Sequence, residues 1–114
     1  MKIISKSQRV EFKHGESCTA CEYLINDNDI NAAVIKLSGR YPEKGLAMNE
    51  ISKEMAYVIS GSGKVSIDNT EFNVIQGDLV FVNPGEKFYW EGNMELFMPC
   101  VPAWNPEQYK IIGS

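Results

Sequence analysis

Turn-forming residues punctuate this chain so closely that they leave room for strands and for little else. Gly61-Ser62-Gly63, Asp68-Asn69, Gly77-Asp78 and Asn83-Pro84-Gly85 all fall between residues 61 and 85. The runs between such clusters are short, rich in β-branched and aromatic residues, and often alternate apolar with polar, the pattern of an all-β sandwich or barrel. Helical periodicity is nearly absent. The pattern predicts strands at Arg9 to Lys13, Ser17 to Ile25, Asn31 to Leu37, Leu46 to Ile51, Met55 to Ser60, Lys64 to Ile67, Glu71 to Ile75, Leu79 to Val82, Lys87 to Glu91 and Glu95 to Val101. Gly61-Ser62-Gly63 is expected to make a tight hairpin, since glycine enters positive φ without a Cβ penalty. Asp68-Asn69 tolerates left-handed geometry and is expected to turn the chain again. Gly39 to Gly45 reads as an exposed loop at a barrel mouth. Pro102 to Lys110, with two prolines and two large aromatics, reads as an irregular segment that lays its rings over one barrel end.

Length and composition narrow the function classes. The 114 residues are 44% hydrophobic, enough for one core, so residues 1–114 are expected to form a single domain. A net charge of −4 argues against nucleic-acid and anionic-membrane partners, which need a basic patch. No segment approaches the ~20 apolar residues of a membrane span, and the amino-terminal residues lack the apolar run of a signal peptide. A cytoplasmic location is therefore expected, and three cysteines, an odd count, read there as free thiols. Cys18 and Cys21 have CxxC spacing, but in a strand residues three apart point to opposite faces with Cα atoms ~10 Å apart. They are not expected to share a metal ion. His14, the single histidine, sits beside Lys13 in the first strand and reads as a surface residue.

Glu54 is separated by six residues from Gly61, and Gly77, Asn83, Gly85 and Phe88 follow with a second regular spacing. These residues resemble the two signature motifs of the cupin superfamily, over about residues 45–103. The resemblance implies a cupin-type antiparallel β-barrel, a double-stranded β-helix or jelly roll. In that family a His-x-His pair, a Glu and a later His usually hold a metal. Here the matching positions are Met48, Glu50, Glu54 and Phe88, so the resemblance implies a small cupin without its metal-binding histidines, with no metal and no cofactor.

Strand alternation places Met48 and Glu50, then Glu54, Ala56 and Val58, then Phe88 and Trp90 on one face, which the resemblance makes the barrel lumen. Two carboxylates sharing a lumen repel, so one is expected to hold its proton more tightly than in water, an arrangement suited to general acid/base chemistry. Glu54 and Glu50 are the candidate catalytic residues, and Met48, Phe88 and Trp90 the candidate ligand contacts. The expected function is metal-independent binding of a small organic molecule, a carbohydrate or metabolite, with hydroxyl-bearing or cationic ligands favoured over anions. The alternatives are a metal-free sugar isomerase or epimerase using Glu54 and Glu50, and a structural cupin whose barrel is filled by its own side chains. A homodimer is expected, because the first strand is apolar at Val10 and Phe12 and an uncovered edge invites pairing.

Overall fold

The computed structural model describes residues 1–113, which form one antiparallel sheet of nine strands curled into a barrel. The strands are β1 (Val10–His14), β2 (Cys18–Tyr23), β3 (Asn31–Tyr41), β4 (Leu46–Asn49), β5 (Lys53–Ile67), β6 (Thr70–Ile75), β7 (Leu79–Val82), β8 (Phe88–Val101) and β9 (Tyr109–Ile112). Only two short 3₁₀ turns, Lys6–Gln8 and Pro106–Gln108, interrupt the extended chain among the described residues. No helix among them is long and apolar enough to cross a membrane.

The long strand β8 organises the barrel. It pairs with β3 from Asn31↔Cys100 to Tyr41↔Trp90 and with β5 from Lys53↔Val101 to Ile67↔Phe88. Its buried residues, Phe88, Trp90, Met94, Leu96 and Cys100, are all even-numbered, as a strand with one face to a core requires. The first four of these meet Leu37 from β3 and Ala56, Val58 and Val65 from β5 in the apolar core.

One expected turn is not a turn, and one gap between expected strands is closed. Residues 61–63 lie inside β5, and residues 92–94, between the expected strands Lys87 to Glu91 and Glu95 to Val101, lie inside β8. The glycines serve close backbone approach instead: a Cβ on Gly61 would stand 2.1 Å from the Asn93 carbonyl oxygen, and one on Gly63 2.3 Å from that of Glu91. Just before them the β5–β8 register slips from Val58↔Leu96 to Ser60↔Glu95, a bulge that puts one extra residue on β5 and bends the sheet over. The two-residue hairpin is Asp68-Asn69, with φ of 47° and 69°, joining β5 to β6 as expected.

Two further expectations are corrected at the chain's ends of the barrel. Strand β3 continues through Gly39 and Arg40 to Tyr41, so that stretch is a strand rather than an exposed loop. The carboxy-terminal segment is irregular up to residue 108, but Tyr109 opens β9, which pairs with β4 from Leu46↔Ile112 to Asn49↔Tyr109. The three cysteines, Cys18, Cys21 and Cys100, are free and buried.

Candidate functional site

One end of the barrel holds a cavity of about 110 Å³. At ~10–15 Å³ of such space per water it has room for a small organic molecule rather than for a few waters only. Its walls come from β1, β2, β3, β5, β8, β9 and the segment before β9, and they are mostly apolar: Ala20, Ala33, Ile35, Leu37, Leu96 and Met98 beside the rings of Phe88, Trp90 and Trp104. The polar groups on the walls are Glu54, Tyr41, Tyr109, His14, Glu22 and Asn31, with the thiols of Cys18 and Cys100.

Glu54 is the most deeply set carboxylate on the wall, only 7% exposed. Both of its protein hydrogen bonds fall on Oε2, from the Cys100 thiol at 3.3 Å and from Asn49 Nδ2 at 3.4 Å. Burial pushes its carboxyl up from the ordinary carboxylate range, and those two long, neutral hydrogen bonds offset only part of that. Asn49 is held by Trp104, whose indole Nε1 donates to Asn49 Oδ1 at 2.9 Å. Burial also pushes the Cys18 thiol up to about 12, so it stands at the wall as an inert neutral group.

A second cluster joins β1, β3 and β9. The hydroxyls of Tyr41 and Tyr109 are 2.6 Å apart, and the His14 ring lies edge-on to Tyr41 with centroids 6.0 Å apart. Burial raises the pKa of both phenols, against which the Tyr109 hydroxyl bond lowers that of Tyr41, and Glu54 is near enough to raise both further. Glu22, also on the wall, is raised by burial and lowered by the neighbouring His14.

The structure brings together Glu54, Phe88 and Trp90 but leaves Glu50 and Met48 outside. The Glu50 carboxylate is 48% exposed and pairs with Lys110 Nζ at 3.6 Å, and Met48 lies opposite Lys110 on the β4–β9 ladder. The inward residues of β4 are Ala47 and Asn49, fully and almost fully buried. The reason is the turn at 50–52: Gln108 Oε1 accepts from the backbone N–H of Ile51 and of Ser52, and its Nε2 donates to Ser52 Oγ. That pinned turn uses three residues between the strands, so the inward parity is odd on β4 and even on β5. A one-residue slip exchanges the faces of a strand. His14 is likewise corrected, from a surface residue to a wall residue of the cavity.

Tyr41 and Asn49 were not singled out from sequence, and Trp104 and Tyr109 entered only as the two aromatics of a segment expected to lie over one barrel end. Odd-residue alternation from Ile35 through Leu37, carried past Gly39, would have found Tyr41. Tyr109 has no comparable local signal, since its position depends on β9 pairing with β4.

Met48 and Glu50, matched to metal ligands by the cupin resemblance, face outward, so the inward residues at this place in the barrel are Ala47, Asn49, Glu54 and Phe88. Two carry no donor atom, Asn49 Oδ1 is engaged by Trp104, and Glu54 faces two neutral hydrogen-bond donors. No group of three His, Cys, Asp or Glu side chains converges among the described residues. This donor set does not fit the metal that the fold often holds.

Known proteins bear on this geometry. Residues 52–91 match the model of the AraC-like ligand binding domain. Among solved structures the chain is similar to Pac13, described as a unique nucleoside dehydratase, at 20% identity over 99% of this chain and 92% of that one, with a TM-score of 0.89. Streptomyces PAC13 variants with uridine match equally well, at 20% identity, over 99% of this chain and 91% of that one, TM-score 0.89. KdgF from a Halomonas species follows at 11% identity, covering 94% of this chain and 97% of that one, TM-score 0.73. Oxalate decarboxylase from Bacillus subtilis matches at 18% identity over 98% of this chain and 32% of that one, TM-score 0.79. A comparison with curated protein sequences gives no match. The chain therefore has the cupin fold. Its size and sheet are those of a small cupin fold.

Proposed function

We propose that this protein is a metal-independent cupin that binds a small organic molecule inside its barrel, with Glu54, Phe88 and Trp90 in contact with it. The observation that carries this reading is the cavity itself, about 110 Å³ walled by rings around a buried carboxyl. Such an interior counts against a barrel filled by its own side chains. The match to a ligand binding domain and the likeness to a nucleoside dehydratase support a neutral, ring-bearing metabolite as occupant. A thermal-shift screen of small metabolites on the purified protein is expected to give stabilising hits that Ala33→Trp, which fills the cavity wall, abolishes. Hits that survive Ala33→Trp unchanged would place binding elsewhere and defeat the reading.

An enzymatic reading is favoured by one observation, that His14 and Tyr41 meet at the cavity wall. An imidazole base opposite a phenol acid suits proton transfer at a carbon next to a carbonyl. Glu50, at the surface, takes no part. Under this reading His14→Asn abolishes turnover of a bound ligand while leaving its affinity within about threefold; equal loss of both makes His14 a binding residue only.

The proposal includes a cytoplasmic homodimer. Three free thiols suit a reducing compartment. The outer face of β5, β7 and β8 exposes Met55, Tyr57, Phe81 and Phe97, and the ladders place Met55 opposite Phe81 and Tyr57 opposite Phe97. A contiguous apolar patch of this kind on a sheet face suits a two-fold contact. Sedimentation is expected to show a dimer at micromolar concentration and a monomer for Phe97→Glu. A wild-type monomer sinks the dimer, and dissociation by Phe12→Glu instead moves the contact to the β1 edge.

A further inference from the structure

The hydrogen-bonding balance of the cavity wall says more about the occupant, on the premise that the cavity binds a small molecule. Tyr41 and Tyr109 each bring one hydroxyl proton, and their 2.6 Å contact uses only one of the two, whichever oxygen donates. Neither hydroxyl has another partner among the described hydrogen bonds, so one phenolic O–H is left over on the wall. A second sign is independent of the first. The Trp90 indole, 3% exposed, has an Nε1–H with no acceptor among the described residues, and indole nitrogen can only donate.

The acceptors on and just behind the wall are, by contrast, partly engaged. Asn49 Oδ1 takes the Trp104 indole N–H, and Asn31 Oδ1 takes the Trp104 backbone N–H. Glu54 Oε2 takes two donors already. Glu54 Oε1 has no partner among the described hydrogen bonds, and the Glu22 carboxylate and the His14 ring stand on the β1–β2 side of the cavity, next to each other. A buried donor without an acceptor is costly, and a ligand oxygen placed against it recovers that cost. A single ring N–H can be met by Glu54 Oε1, whereas a hydroxyl-rich ligand would bring many donors and acceptors against a mostly apolar lining, and an anion would meet that lining and Glu54.

We propose that the cavity takes a neutral, flat, carbonyl-bearing ring, a cyclic amide in the first instance, whose carbonyl oxygen accepts from the spare hydroxyl of the Tyr41–Tyr109 pair. Its ring lies among Phe88, Trp90 and Trp104. This replaces the sugar or amine expected from sequence, because only one of the two carboxylates that favoured those, Glu54, lines the barrel, while Glu50 is outside it.

The pair makes an unusual prediction. In Tyr41→Phe the Tyr109 proton is freed, and in Tyr109→Phe the Tyr41 proton is freed, so each single variant keeps one donor. Only the double variant has none. Calorimetric titration with 2-pyridone is expected to give single variants within about threefold of wild type and a double variant about tenfold weaker or more, a non-additive pattern that general loosening of the wall would not produce. On the wild-type protein alone, 2-pyridone and δ-valerolactam are expected to bind at least about tenfold more tightly than benzene, while myo-inositol and cyclohexylamine do not bind. That comparison stands even if the double variant fails to fold. Single variants as weak as the double one overturn the shared-proton assignment. Binding of inositol or cyclohexylamine with the cyclic amides silent overturns the ligand class and leaves small-molecule binding intact. A cavity that takes none of the five probes overturns the ligand class, and silence in the metabolite screen as well takes small-molecule binding with it.

Discussion

Trp104→Ala is expected to lower the unfolding free energy by about 2–4 kcal/mol and to abolish ligand binding. Trp104 lies on the irregular segment before β9, where its backbone exchanges two hydrogen bonds with the Asn31 side chain. Those bonds survive in Ala, so the segment keeps its anchor. The ring does not survive. It packs edge-on to Tyr109 with centroids 5.6 Å apart, and its Nε1–H satisfies Asn49 Oδ1. Truncation therefore removes apolar contact, strands a buried amide oxygen, and loosens the neighbour that steadies Glu54. Urea denaturation with an unchanged m-value and a lowered midpoint is the expected record. Trp104→Phe, which keeps most of the ring, is expected to lose about 1–3 kcal/mol from the amide alone. A loss under about 0.5 kcal/mol for Ala would mean that the segment is not docked over the cavity.

The second large effect is a pH dependence carried by Glu54. Its carboxyl is pushed up in the folded protein by burial, so the folded state holds a proton that the unfolded chain releases near the ordinary carboxylate value of about 4.3. Below that value both states are protonated and Glu54 costs nothing. As pH rises above it, the unfolded state gains by ionising while the folded state resists, so stability falls until the folded-state value is passed. Glu54→Gln keeps the shape and the acceptor oxygen for Asn49 and Cys100 but cannot ionise. The variant is expected to match the wild type near pH 4 and to exceed it by a margin that widens through neutral pH. Other titrating groups are common to both proteins and cancel in the difference. Thermal unfolding from pH 4 to 9 measures this, and a margin that stays flat would show a carboxylate ionised as freely folded as unfolded.

Much of the barrel was legible in the sequence because it is written locally. Asp68-Asn69 specifies a two-residue hairpin wherever it occurs between strands, and even-residue alternation in Phe88, Trp90, Leu96 and Cys100 survives the whole of β8. Glu54, Phe88 and Trp90 could be assigned to the interior on that basis. Glycine was the misleading signal. The same absence of a Cβ serves a turn and a strand crossing alike, and only the partner strand distinguishes them, as at Gly61 and Gly63. The parity of β4 was hidden for a similar reason. The turn at 50–52 is set by Gln108, 56 residues away from Ser52, and no local pattern carries that. Tyr109 and His14 reach the cavity through ladders between β4 and β9 and between β1 and β2, so their roles are properties of the assembled sheet.

The chain has two tryptophans, and both line the cavity. One has an indole N–H without an acceptor and the other has its N–H bound to Asn49. Every photon of indole emission from this protein therefore originates at the proposed binding site, with no bystander chromophore to dilute it. An occupant that stacks on or hydrogen-bonds to either ring has to alter the emission colour or yield, so unlabelled protein doubles as its own optical sensor. Comparing Trp90→Phe with Trp104→Phe would then separate the signal from each wall, and show from which side a ligand enters.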